Sequence, residues 1–308
     1  MTKIDLITGF LGAGKTTFLK KYLRFLVSKG ERVCVLEFDY GAVNVDMMLL
    51  QEFNDTVDLE MVAGGCDYDC HLRRFKTKLI AMGMKKYDRV IVEPSGLFDT
   101  DEFFDTLYDE PLDNWYEIGS VVSVVDSGIE KSLSKESKYV LACQIGSSGL
   151  VILSKTQNHT ESEIESTIAF LSDVMTEFGM TFDSNKVISK NFETFDECDF
   201  MKIVNAGYST QPHIKMDVME TNSYSSIYFL NKHLKLKDIE NLANTLFNSV
   251  EFGKIIRIKG FIQEENQWYE FNMTANEMNK NKLDNGQDVV IVIGENLNEA
   301  LIKSLFGE

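Results

Sequence analysis

Residues 9–16 read Gly9-Phe10-Leu11-Gly12-Ala13-Gly14-Lys15-Thr16, a complete G-x-x-x-x-G-K-S/T pattern. Each residue type has a physical reason to be there. Gly9, Gly12 and Gly14, with the small Ala13, let successive backbone N–H groups curl around a phosphate. Lys15 carries positive charge to the β- and γ-phosphates, and the Thr16 hydroxyl offers an oxygen to Mg²⁺. Such a loop works with a carboxylate near the metal and a group that meets the γ-phosphate. Glu93-Pro94-Ser95-Gly96 supplies both: Glu93 closes the apolar run Val90–Val92, which puts its carboxylate at a strand's carboxyl end, and the Gly96 N–H can meet the terminal phosphate. Glu37 and Asp39 close a second apolar run, where they face the nucleotide or a second metal, or else stand as solvated loop acids. Catalytic roles are therefore expected of Lys15, Glu93 and Asp39.

These residues need a strand before the loop and a helix after it. Lys3–Thr8 is an apolar, β-branched run, and an amphipathic helix is predicted from about Lys15 to Lys29. Strands at Arg32–Phe38, Asp88–Val92, Glu117–Val125 and Ser148–Leu153 alternate with helical patterns near Arg73–Lys85, Lys135–Gln144 and Glu161–Phe178. The strand cores are continuous apolar runs and not alternating ones, as expected of parallel strands covered on both faces. The prediction is an α/β, doubly wound, mostly parallel P-loop NTPase domain over residues 1–212. A Gly/Ser/Thr/Pro-containing stretch at about 205–226 breaks the periodicity, and a smaller α+β domain follows over 213–308. That second domain reads as strands at Ser226–Leu230, Lys254–Ile262, Gln267–Asn272 and Asp288–Ile293, with helices at Lys237–Phe247 and Asn296–Leu305.

A chain of 308 residues with net charge -17 and 44% hydrophobic content folds, and repels phosphate backbones at long range. Nucleic acid and anionic membrane are excluded as general partners, and no apolar run reaches the ~18 residues of a membrane span. The cysteines at 34, 66, 70, 143 and 198, without a leader segment, read as reduced thiols of a cytoplasmic protein. Nothing in the pattern fixes an oligomeric state. Asp126 ends a strand at the nucleotide edge, where it either caps the loop or takes part in chemistry. His159, His213 and His233 show no metal-ligand spacing.

The chain resembles the CobW-type P-loop GTPases (CobW/HypB/UreG-like), a family of nucleotide-dependent metallochaperones and metallocentre-assembly proteins. The stretch Thr8–Thr17 carries the resemblance most distinctively, together with Glu37…Gly41, Gly64-Gly65-Cys66, Glu93-Pro94-Ser95-Gly96, Val124-Val125-Asp126 and Ser154-Lys155-Thr156-Gln157. The run from Gly260 to Leu297 resembles the family's second domain. Two motifs depart from the family. Where its members carry C-x-C-C, this chain has Cys66-Asp67-Tyr68-Asp69-Cys70-His71. On a helix, Cys66 and Cys70 share a face and would bind one Zn²⁺, Co²⁺ or Ni²⁺ with His71 or a nearby Asp, with Glu37 as a further metal candidate; two ordinary thiols in an acidic turn are the other reading. Where members carry N-K-x-D, this chain has Ser154-Lys155-Thr156-Gln157, so Lys155 packs on the base but the acid that reads guanine is gone. Gln157, both donor and acceptor, suits adenine as readily as guanine.

The resemblance implies a Mg²⁺-dependent NTPase, using GTP or ATP, that couples nucleotide state to transition-metal delivery or cobalamin-related cofactor assembly for a client metalloprotein. The nucleotide is expected on Gly9, Gly12, Ala13, Gly14, Lys15, Thr16, Thr17, Gly96, Lys155 and Gln157, and Mg²⁺ on Thr16 and Glu93. Rival readings are a nucleotide-gated adaptor with no metal of its own and a P-loop kinase using Asp39 as base.

Overall fold

Eleven-residue and shorter apolar runs become the strands of one parallel sheet. In the computed structural model, which describes residues 1–39, 45–63, 68–214, 216, 224–275 and 277–308, the chain divides into two units, Met1–Met216 and Asp217–Glu308. The first unit runs β1 (Thr2–Thr8), α1 (Lys15–Ser28), β2 (Val33–Asp39), α2 (Val45–Leu49), β3 (Asp58–Ala63), α3 (Tyr68–Met84) and β4 (Arg89–Pro94). It continues through α4 (Thr100–Leu107), α5 (Leu112–Trp115), β5 (Tyr116–Asp126), α6 (Lys135–Gly146), β6 (Leu150–Ser154), α7 (Glu161–Glu177), β7 (Val187–Ile188) and α8 (Glu197–Val204).

Among the described residues the strands lie in the order β3-β2-β4-β1-β5-β6-β7, and every neighbouring pair is parallel. The chain therefore leaves β1 to one side for β2, β3 and β4, then crosses to the other side for β5 to β7. That reversal opens a crevice beyond the carboxyl end of β1, where residues 9–14 lie. Ile4, Leu6, Leu36, Phe38, Val90 and Val92 pack on one face with Phe75, Leu79 and Phe103. Ile7, Val35, Ile91 and Val124 pack on the other with Phe18, Leu19, Tyr22 and Leu23 of α1.

The sheet carries one buried ionic device. Arg89, at the start of β4, donates to both oxygens of Asp5 at 2.9 and 2.7 Å and to Glu31 at 2.8 Å. Tyr22 Oη and the Ser120 N–H also donate to Asp5, each at 2.8 Å. Desolvation pushes the Asp5 carboxyl up, against the pull of Arg89 and the other donors. The backbone is adapted to this acid: Ile4 pairs with Ile118 but Leu6 with Val121, so β5 places one more residue than β1 between the two pairs. Gly119 lies in that bulge, and a Cβ there would come within 2.3 Å of Asp5 Oδ1.

Three strands escaped the sequence pattern. β3 is a sheet edge whose mixed residues Asp58, Glu60 and Met61 are partly or wholly exposed, β7 is two residues long, and Met278–Leu283 of the second unit is almost wholly exposed, so none presents a hydrophobic period. The short helices α2, α4, α5 and α8 lie outside the expected elements, and α3 starts at Tyr68, ahead of the expected Arg73. The stretch after α8, expected as a boundary, is tied down as far as residue 213. Gly207 O accepts from Val121 N at 2.8 Å, Ser209 N donates to Ser147 O at 3.0 Å, and Gln211 bonds the Thr181 backbone.

The second unit contains β8 (Tyr224–Leu230), α9 (Leu236–Asn248), β9 (Lys254–Glu264), β10 (Gln267–Met273), β11 (Met278–Leu283), β12 (Val289–Glu295) and α10 (Glu299–Leu305). Its antiparallel sheet has the order β11-β10-β9-β12-β8. Ile258, Phe271 and Val292 form its core with Ile239 and Leu246 of α9, and Phe306 stacks on Phe229 at 3.8 Å. Among the described residues no helix is long and apolar enough to cross a membrane.

Candidate nucleotide site

The loop after β1 is held open by glycine geometry. Gly9, Gly12 and Gly14 have φ of 144°, 76° and 89°, a region costly for residues with a Cβ. Gly14 is the N-cap of α1, whose first turn has neither a capping side chain nor an acid. By contrast α4, α6, α7 and α8 are capped by Asp99, Ser134, Thr160 and Asp196. The donors and positive dipole end of α1 are thus left for an anionic ligand. Lys15 is buried, and its ammonium folds onto the loop to donate to Gly9 O at 3.0 Å. Thr17 is exposed in the first turn of α1.

The Thr16 hydroxyl donates to Glu93 Oε1 at 2.7 Å, and Glu93 is only 3% exposed. Glu37 is in register with Glu93 on the neighbouring strand and equally buried. Registered residues of parallel neighbours share a face, so two acids stand side by side on the α1 face, next to the Thr16 oxygen. Buried where screening is weak, this all-oxygen donor set suits a hard cation such as Mg²⁺.

Gly96 is placed against the loop itself. A Cβ there would come within 2.6 Å of Leu11 N and 2.8 Å of Leu11 Cα. The segment is fixed by Ser95 N donating to Phe38 O at 2.8 Å and by Gln144 of α6, whose Nε2 donates to Gly96 O at 3.1 Å. Gln144 is a site residue that sequence reading missed, because it lies 48 positions away and belongs to no motif. On the loop's other flank, a Cβ on Gly9 would come within 2.1 Å of Val124 O.

At the far end of the crevice, Lys155 adopts φ 55° and pairs with Asp126 Oδ2 at 2.7 Å, while Asp126 Oδ1 accepts from Gly128 N at 2.8 Å. Asp126 therefore both caps the loop and steadies the lysine stem. Gln157 is exposed in a single 3₁₀ turn, Thr156–Asn158.

Of the residues expected to bind a transition metal, only some can be placed. Cys66 and the side chain of Asp39 lie outside the described residues. Cys70 is half-buried in the first turn of α3 and faces a cavity of about 590 Å³ bordered by Met61, Val62, Arg73 and Ala81. His71, the next residue, is wholly buried with its ring 4.3 Å from that of Phe38. Phe38 projects to the face opposite Glu37, so Glu37 and His71 approach from different sides of the sheet. Among the described residues no group of three or more His, Cys, Asp and Glu side chains is arranged to hold a metal ion.

A glycine-lined loop at the switch point of a parallel sheet, with a capless helix behind it and a Thr–Glu pair beside it, defines a P-loop nucleotide-binding domain. Residues 3–180 match the family CobW/HypB/UreG, nucleotide-binding domain, and the chain belongs to that family. It is 26% identical over 167 residues to the zinc chaperone YjiA of Escherichia coli K12, covering 52% of this chain and 51% of that protein. It is 30% identical over 170 residues to the zinc chaperone YeiR of the same organism, covering 53% and 49%. The zinc-regulated GTPase metalloprotein activator 1 of Dictyostelium discoideum is 25% identical over 299 residues, covering 84% and 62%. The chain thus spans about half the length of the two bacterial relatives it matches. Among solved structures, Zn(II)-bound YjiA GTPase from E. coli aligns over 99% of this chain and 98% of that one at 19% identity, with a TM-score of 0.37.

Proposed function

We propose that this protein hydrolyses GTP slowly and uses the nucleotide state to deliver a transition-metal ion, zinc foremost, to a client metalloprotein. The Thr16–Glu93 pair carries this reading, because it joins the phosphate loop to the strand that leads into Gly96. The loop's N–H groups and the α1 end hold the phosphates, Lys15 offsets their charge, and the Gly96 N–H meets the γ-phosphate. Thr16 and Glu93, with Glu37 adjacent, would hold Mg²⁺, which neutralises charge on the β- and γ-oxygens when bound. Turnover is expected to be slow because no motif in the sequence identifies an arginine directed at the phosphates, which leaves a partner's cation to supply the missing charge. Cys66 and Cys70 are the proposed cargo ligands, and the names of the relatives favour zinc over cobalt or a cobalamin-related role.

The test is a Zn²⁺ and Co²⁺ titration with and without GTP and Mg²⁺. Binding should weaken in Cys66→Ser, weaken less in Cys70→Ser, and shift at least fivefold with nucleotide, with the reciprocal shift in nucleotide affinity. Metal binding unaffected by both substitutions would remove the cargo site and leave a nucleotide-gated adaptor. Transfer of phosphate from ATP to a small hydroxyl compound would point to a kinase.

A further inference from the structure

Gln144 is fully buried, and both groups its Nε2 approaches are carbonyl oxygens: Gly96 O at 3.1 Å and Phe98 O at 3.5 Å. Only the NH₂ end of the amide can serve two acceptors, which fixes its orientation. Its Oε1 finds no donor among the described residues. A buried orphan acceptor is a cost that a methionine of similar length would not carry, so the residue is explained by what its nitrogen holds.

The preceding residue on α6, the buried Cys143, belongs to a second cluster. Cys143 O accepts from Thr100 Oγ1 of α4 at 3.2 Å, and Cys143 Sγ lies 3.6 Å from His213 Nε2. The same Nε2 lies 3.3 Å from Asp101 Oδ2 of α4, and Nδ1 lies 3.1 Å from Gln211 O. Tyr139, one turn earlier on α6, adds a ring 6.0 Å from that of His213. His213 therefore sits between α4, which begins just after the 93–99 segment, and α6, which grips that segment. It belongs to the stretch of chain that leads into the second unit.

We infer that Gln144 is the positioning residue of the γ-phosphate-sensing segment, and that the Cys143–His213–Asp101 cluster latches the stretch 205–214 to whichever position that segment adopts. This rests on the reading of Gly96 N–H as the γ-phosphate contact. Movement of Gly96 toward a γ-phosphate carries its own carbonyl along, so the Gln144 amide and α6 must follow or release it. α4, covalently joined to the segment, shifts Asp101 at the same time. The two walls holding the imidazole then move relative to one another, and the stretch is held differently in the two nucleotide states.

The experiment measures affinity for GDP and for a non-hydrolysable GTP analogue, with Mg²⁺, in wild type and Gln144→Met, together with hydrogen exchange over residues 205–214 in each state. Gln144→Met should lose at least fivefold in analogue affinity while GDP affinity stays within twofold, a split that a merely structural defect would not produce. Wild-type exchange over 205–214 should differ between the two states, and in His213→Ala that difference should vanish, with the ratio of analogue to GDP affinity shifting by no more than the factor that the lost difference represents. His213 is on a surface stretch, so this variant tests the latch even if Gln144→Met fails to fold. Equal losses for both nucleotides in Gln144→Met, or identical wild-type exchange in both states, would overturn the inference. Failure of the wild type to bind the analogue would instead overturn the functional reading beneath it.

Discussion

The most exacting prediction concerns Gly96→Ala. Gly96 is not among the positive-φ positions, so alanine suits its backbone and the effect must come from contact. The added carbon would stand 2.6 Å from Leu11 N and 2.9 Å from Leu11 Cδ2, and the first of these is about 0.8 Å inside ordinary van der Waals contact, which begins near 3.4 Å. The leucine side chain can rotate away, but the Leu11 backbone belongs to the phosphate loop and the 93–98 segment is tied to Phe38 and Gln144. Relief therefore separates the switch from the loop by most of that 0.8 Å. Overpacking of this kind costs about 1–3 kcal/mol in stability. A displacement approaching 1 Å at a reacting centre costs up to about 100-fold in rate. GTP turnover by phosphate release should fall at least tenfold, thermal melting should drop by a few degrees, and GDP affinity should hold within about threefold. Turnover within twofold of wild type would refute the placement of Gly96 against the loop and its role with it.

Lys15→Ala should abolish hydrolysis while leaving the circular dichroism spectrum and cooperative melting unchanged, since the residue lies at the loop's end and its partner is a loop carbonyl. Gln157→Asp should sharpen GTP-over-ATP discrimination by about tenfold, equivalent to about 1.4 kcal/mol, in a competition assay, because a carboxylate can accept both guanine N–H groups. Arg89→Met strands the buried Asp5 charge and should lower urea-unfolding stability by about 3–5 kcal/mol; Asp5→Asn in the same chain should restore part of it, and no recovery would deny the coupling. Burial pushes the Cys34 thiol from 9.0 up to about 12. The unfolded chain therefore sheds that proton first, so stability should fall as pH climbs from about 9 to about 12, and Cys34 should resist thiol reagents in the native protein at pH 7.

The phosphate end of the site was legible because its residues are local: eight consecutive positions make the loop, and Glu93 directly ends an apolar run. The strand cores read well for the same reason, since burial on both faces leaves a continuous apolar signature. What the sequence withheld depends on register and on contacts between distant segments. That Glu37 stands beside Glu93 follows only from β2 pairing with β4, and that Glu37 and His71 approach from opposite faces follows from the alternation of β2 together with the packing of α3. Asp5 and Arg89 look like ordinary charges until the sheet brings them together across 84 positions. The polar edge strands β3 and β11 are held by ladders to their neighbours, which no hydrophobic pattern announces.

The bulge in β5 amounts to one residue beyond a regular ladder. With Gly119 removed, Ile118 would still face Ile4, Ser120 would face Asp5 and Val121 would still face Leu6, so the strand would close into a regular ladder without changing phase on either side. The extra residue serves the room and the N–H that the Asp5 carboxylate requires, so each makes sense only with the other. A chain one residue shorter, with Asp5→Leu and Arg89→Met, would have neither a buried charge nor an irregular strand. Lineages of this fold should therefore gain or lose the acid, the arginine and the glycine together.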